Sequence, residues 1–210
     1  RIAPERGVPR RRQSLSGKRK VGLFGGSFDP VHRGHLALAQ YLLACGAVEE
    51  VWLMVSPLNP LKSGAQLSPD AERLEMARLA AADVPGVVVS DIELHLPRPS
   101  YTWRTLRALR EAHPAIEFSL IVGADNWLVF DRWQHPEEIL AHHRLLVYPR
   151  PGCEVDESAL PDGVVYVHAP LLPFSSTQVR EAVRRGEDIS EMVPRAILER
   201  CVAHYQQPAE

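Results

Sequence analysis

The sequence is poor in cysteine: its 210 residues include three, Cys45, Cys153 and Cys201, and no C-x-x-C pair. An odd, dispersed set fits neither a disulfide framework nor a zinc ribbon. It suits a reducing cytosol, so a cytoplasmic location is expected. Long apolar runs are missing too. Nothing approaches the roughly 18 to 20 apolar residues that cross a bilayer, and the opening residues are arginines and prolines rather than an apolar signal core. Neither membrane insertion nor Sec-type export is therefore expected. There is no internal repeat, no low-complexity tract and no large excess of either charge: 24 Lys and Arg stand against 26 Asp and Glu, a formal net charge of −2.

That balance is uneven. Residues 1–20 carry eight basic side chains against Glu5, which leaves about −9 for residues 21–210. A body that acidic has no general affinity for nucleic acid, whose phosphates require a basic face. Any nucleotide it binds must sit in a specific local pocket. Residues 1–19, with Pro4, Pro9, Gly7, Gly17 and the Arg10-Arg11-Arg12 run, have little to bury and read as a flexible basic tail. With 45% apolar and 24% charged residues the composition is globular, and the length suits a single domain over residues 20–210.

Short aliphatic runs alternate there with helical patterns, the signature of an α/β fold with a parallel sheet covered by helices. Strands are expected over 21–25, 51–56, 87–91, 116–123, 144–148 and 164–168. Helical spacing recurs at Leu36, Ala39, Leu42 and Leu43. It recurs at Leu74, Ala77, Leu79 and Ala80, behind Ser68 as N-cap and Pro69 at the first helical position, and again at Trp103, Leu106 and Leu109. Val179, Ala182 and Val183 mark a later helix, and Ile197, Leu198, Cys201 and Val202 the last.

The chemistry concentrates where the first strand runs into a helix, in Gly25-Gly26-Ser27-Phe28-Asp29-Pro30-Val31-His32-Arg33-Gly34-His35. Open α/β sheets bind ligands at such strand ends. Two glycines let the backbone approach a phosphate, and a helix starting near Gly34 offers free N–H groups to an anion. His32 and His35 lie one helical turn apart, so both imidazoles project from the same helix end. Two such donors suit the charge that builds on a phosphoryl group in transfer. Without a third ligand the H-x-x-H spacing is a poor metal signal. A second cluster, Phe174-Ser175-Ser176-Thr177-Gln178-Val179-Arg180, opens another helix with hydroxyls at its N-cap end. Read alone it is equally a well-capped surface helix.

Together the two strings resemble the paired signatures of the HxGH nucleotidyltransferase superfamily. Ser100-Tyr101-Thr102, Gly123-Ala124-Asp125 and Phe130-Asp131-Arg132-Trp133 are similar to segments of its bacterial nicotinate-mononucleotide adenylyltransferase branch, so the resemblance spans residues 21–205. It implies a Rossmann-like, mostly parallel sheet with helices on both faces. It also implies catalytic roles for His32, His35 and Arg180, and ATP contacts at Gly25, Gly26, Ser27, Phe28, Gly34, Gly123, Asp125, Ser175, Ser176 and Thr177. Mononucleotide contacts would come from Lys62, Tyr101, Thr102 and Trp133, with Trp133 stacking on the pyridine ring and the Thr102 backbone binding its carboxylate. Asp125 reads otherwise as an N-cap for a helix beginning at Asn126, and Trp133 as a half-buried core residue. Two departures from the family pattern stand out: Leu61 replaces a histidine in Ser56-Pro57-Leu58-Asn59-Pro60-Leu61-Lys62, and Gln134 replaces an aromatic residue.

The implied reaction is adenylyl transfer from ATP to nicotinate mononucleotide. Mg²⁺ would be bound mainly through ATP, since no carboxylate cage is evident. The partners expected are these two nucleotides, with no nucleic acid and no membrane; a homo-oligomer is compatible with the sequence. Rival readings retain the pocket and change its use: nicotinamide mononucleotide or phosphopantetheine as acceptor, or a nucleotide-sensing protein without catalysis.

Overall fold

The six apolar runs form six strands: β1 (Arg19–Gly26), β2 (Glu50–Val55), β3 (Val87–Ser90), β4 (Ile116–Gly123), β5 (Arg144–Tyr148) and β6 (Val164–Tyr166). A computed structural model of the chain describes residues 17–57, 67–171 and 174–206. The strands make one sheet in the order β3-β2-β1-β4-β5-β6, and each of its five pairings is parallel. This order reverses between β1 and β4, which opens a crevice at their carboxyl ends.

Alternation along the strands feeds two cores. Phe24, Val51, Leu53 and Ile121 face α1 (Arg33–Ala44) and α2 (Asp70–Ala81), while Leu23, Met54, Leu120 and Val147 face the other side. The short α3 (Ile92–His95) follows β3; α4 (Thr102–Ala112), α5 (Ala124–Trp127) and α6 (Pro136–His142) supply the second core through Leu106, Ala124 and Ile139. The chain then returns to the first core with α7 (Ser176–Arg184) and α8 (Leu198–Tyr205), which bury Val179 and Cys201. Helices therefore cover both faces, as expected. Gly22 in β1 makes room for this packing: a Cβ there would lie 2.8 Å from Ile121 Cδ1.

The boundaries differ at several points. β1 opens at Arg19 rather than Val21, because Arg19 pairs with Glu50 at 3.2 Å and the Lys20 N–H donates to Glu49 at 2.8 Å. The expected tail thus gives up Arg19 to the strand, and residues 1–16 lie outside the described residues. β6 stops at Tyr166, two residues before His168. Helix α2 starts at Asp70, so Pro69 takes the N-cap position and Ser68 precedes the helix. Its buried face is Arg73, Met76, Ala77, Ala80 and Ala81, whereas Leu79 is exposed. A fully buried arginine displaces leucine from that face for a reason found at the site. Among the described residues no helix is long and apolar enough to cross a membrane.

Candidate active site

His32 is the N-cap of α1, with extended backbone at φ −137° and ψ 170°. Its Nδ1 accepts the Gly34 N–H at 3.1 Å, and His35 Nδ1 accepts the His32 N–H at 3.1 Å. The two imidazoles perform the reciprocal capping usually given to Ser and Glu. Since both Nδ1 atoms accept, the hydrogen bonds assign the neutral proton to Nε2 in each ring. The rings stack with centroids 3.6 Å apart, Phe28 packs edge-on to His35 at 4.9 Å, and Phe174 does the same to His32 at 5.4 Å. Burial, helped by the Arg150 charge, lowers the His32 pKa to about 4. Burial also holds His35 well below its ordinary value, with smaller contributions from His32 and Arg150. Both rings are neutral at pH 7 and offer Nε2–H donors.

The second motif docks onto the first. Ser176 Oγ donates to the Pro30 carbonyl at 2.8 Å, and Arg180 Nη1 donates to the Asp29 carbonyl, contacts that span 146 and 151 residues of chain. Arg180 Nη2 donates to Thr177 Oγ1 at 3.4 Å, leaving further guanidinium N–H bonds for a ligand. Ser175 caps α7 reciprocally with Gln178. The hydroxyls of Ser175, Ser176 and Thr177 thus each have a partner within the protein. The Phe28 side chain is buried at 2% exposure against Phe24 and His35.

Gly26 serves that aromatic packing: a Cβ there would lie 3.1–3.3 Å from three Phe28 ring carbons. Gly25 is exposed at the strand end, Ser27 is half-buried, and Gly34 is buried within the first turn of α1. Arg73 ties this floor together. Its guanidinium donates to the carbonyls of Ser27, Ser56 and Ser68 and pairs with Asp70, joining the ends of β1 and β2 to the start of α2. Those carbonyls explain why an arginine occupies a core position.

Across the crevice, Gly123 is buried at the end of β4, where a Cβ would collide with Asp125 Oδ1 and lie 3.0 Å from Arg150 Cγ. Asp125 lies inside α5, whose N-cap is Gly123, so the N-cap reading of Asp125 fails. Its carboxylate faces Arg150 at 3.5 Å. Arg150 borders an open cleft of about 470 Å³ with Cys153, Tyr166 and Leu171. Burial raises the nearby Tyr148 pKa to about 12.

The mononucleotide candidates lie at the start of α4 and after α5. Thr102 is the first residue of α4 and Tyr101 its N-cap, which places helix-end N–H groups there. Arg104 covers the rings of Tyr101 and Trp103 at 5.4 and 5.3 Å. Trp103 meets His135 at 4.6 Å, two residues beyond Trp133. Trp133 is half-buried against Phe130 at 5.1 Å. The Ser100 hydroxyl and the indole N–H groups of Trp103 and Trp133 are buried with no partner among the described residues. Lys62 and the Leu61 departure lie outside the described residues.

Sequence reading missed Asp29, Arg73, Arg150 and Tyr205. Asp29 is 2% exposed and accepts the Tyr205 hydroxyl at 2.7 Å and the Ser68 N–H at 3.3 Å. Only its place inside the first string could have signalled it. Among the described residues no group of three His, Cys, Asp or Glu could hold a metal ion.

Residues 23–182 match the cytidylyltransferase-like family model. A probable nicotinate-nucleotide adenylyltransferase of Bacteroides fragilis is 49% identical over 185 residues, covering 88% of this chain and 92% of that protein. One of Bacteroides thetaiotaomicron is 50% identical over 178 residues, covering 85% and 88%. In fold, the chain is similar to the Plasmodium falciparum nicotinic acid mononucleotide adenylyltransferase complexed with NaAD, with a TM-score of 0.75 at 19% identity over 91% of this chain and 100% of that one. The chain belongs to the cytidylyltransferase-like family and, within it, to the nicotinate-nucleotide adenylyltransferases.

Proposed function

We propose that the protein transfers the adenylyl group of ATP to nicotinate mononucleotide, yielding nicotinate adenine dinucleotide and pyrophosphate. An oxygen of the mononucleotide 5′-phosphate attacks the α-phosphorus of ATP. The new P–O bond forms as the bond to the β-phosphate oxygen breaks, and pyrophosphate leaves with that electron pair. No proton and no covalent enzyme intermediate are required, so the protein's work is positioning and charge stabilisation.

The observation that carries this reading is the capped pair of neutral histidines at the end of β1. Their Nε2–H groups suit phosphoryl oxygens, and Arg180 supplies formal charge from the facing helix. Gly25, Gly26, Ser27 and Gly34 support a close backbone approach by ATP phosphates. The cleft lined by Arg150, whose guanidinium faces Asp125 at 3.5 Å, supports a seat for the adenosine half. Enzymes of this kind use ATP with a divalent metal. Mg²⁺ would enter as the counter-ion of ATP, held by phosphate oxygens and water, and the roles of the histidines and Arg180 do not depend on it.

Thr102 and Trp133 support the acid as acceptor, through helix-end N–H donors and an indole face. A pyridine carboxylate satisfies such donors, whereas an amide turns its own NH₂ toward one of them. An unpaired buried donor costs about 1–3 kcal/mol, so kcat/KM for nicotinate mononucleotide should exceed that for nicotinamide mononucleotide roughly 5- to 150-fold. The test is pyrophosphate release from ATP with each acceptor. Equal values, or preference for the amide, would reject the nicotinate assignment; no release with either acceptor or with phosphopantetheine would favour a nucleotide sensor.

A further inference from the structure

The last helix reaches back 176 residues to touch the first motif. Tyr205, at the end of α8, is 5% exposed and donates its hydroxyl to Asp29 Oδ1 at 2.7 Å. Burial and the adjacent Asp29 charge raise the Tyr205 pKa, so the phenol remains a donor throughout the neutral range. Helix α8 has further anchors: Arg200 binds Glu72 through two bonds of 2.6 and 2.9 Å, and His204 Nε2 lies 2.9 Å from Ser68 Oγ, which also bonds the Tyr205 side chain.

On the far side of Asp29 stands Arg180. Its Nη1 donates to the Asp29 carbonyl and lies 3.9 Å from Asp29 Oδ2, which also accepts the Ser68 N–H. With Oδ1 committed to the phenol, the carboxylate plane is fixed and Oδ2 holds the guanidinium at arm's length. A buried carboxylate deprived of one donor turns toward the nearest cation to replace it. That cation is Arg180. The guanidinium would then be drawn into the wall and away from the crevice.

We propose that Tyr205 is a positioning residue for adenylyl transfer, acting through Asp29 to keep the Arg180 guanidinium available to the ATP phosphates. This rests on the adenylyltransferase reading for its catalytic consequence and on geometry alone for its effect on ATP binding. The experiment is a double-mutant cycle between Tyr205→Phe and Arg180→Ala, read as kcat for pyrophosphate release and as ATP affinity by calorimetry. Tyr205→Phe should lower kcat and weaken ATP binding by about three- to tenfold in the otherwise wild-type protein and leave both unchanged within about twofold when Arg180 is alanine. Asp29→Asn is the second probe: it retains an acceptor for the phenol and removes the charge that would draw Arg180 inward, so Tyr205→Phe should cost no more than about twofold further in an Asp29→Asn background. Equal losses from Tyr205→Phe in every background, or no loss from Tyr205→Phe alone, would overturn the proposal. A wild-type protein that binds ATP but releases no pyrophosphate with any acceptor would sink the enzymatic reading instead, while the ATP-affinity cycle would still decide the role of Tyr205.

Discussion

Each imidazole of the first motif has two tasks, one per nitrogen. The Nδ1 atoms cap α1, and the Nε2–H groups are the donors proposed to meet the phosphates. His35→Ala would remove both, so a loss of activity alone would not separate them. His35→Gln separates them, because a glutamine at the third helical position retains the capping acceptor. We expect His35→Gln to retain most of the thermal stability and to lower kcat about 10²- to 10³-fold with a smaller change in KM, the usual effect of deleting a donor to a developing charge. Steady-state kinetics with ATP as the varied substrate check this; wild-type turnover with only a raised KM would make His35 a ground-state ligand. The histidines were legible in the sequence because a helical turn is a local spacing. Arg73, Asp29 and Arg150 were not, since their partners are brought to them by the fold: Asp29 meets Tyr205 across 176 residues, and Arg73 meets the Ser27 carbonyl across 46.

Among the elements, the strands were the easiest to read, because β-branched and aliphatic runs buried on both faces leave little alternative. Helix α2 was harder. Its register is set by the Arg73 contacts with three carbonyls as much as by apolar residues, so counting leucines placed Leu79 inward where it is exposed. The turn after β1 shows the same limit, for its two glycines read alike and behave differently. Gly26 abuts three carbons of the rigid Phe28 ring, while Gly25 meets the end of the flexible Met54 side chain at 3.3 Å. Gly26→Ala should destabilise the protein by about 1–3 kcal/mol through overpacking, and Gly25→Ala by less than about 1 kcal/mol. Urea unfolding of the two variants side by side is the measurement; equal midpoints would mean that the Phe28 ring yields.

For the whole molecule, burial of histidine predicts how stability follows pH. The His32 pKa falls from 6.5 to about 4 on folding, and His143 is lowered by burial as well. Between those two values the unfolded chain takes up a proton that folded His32 refuses, so stability falls as pH drops from 6.5 toward 4 and is independent of this group above 6.5. His32→Asn retains a capping side chain without the titration and should flatten part of that decline. Thermal midpoints measured from pH 8 to 4.5 test it, and a wild-type midpoint that held steady down to pH 4.5 would contradict it. The capped histidines also bear on entropy. A ring whose Nδ1 is tied to the backbone cannot flip or swing, so its rotational freedom is lost when the chain folds, before any nucleotide arrives. The ordering of the two rings is therefore charged against the free energy of folding and not against that of binding, and the nucleotide meets donors that are already in place.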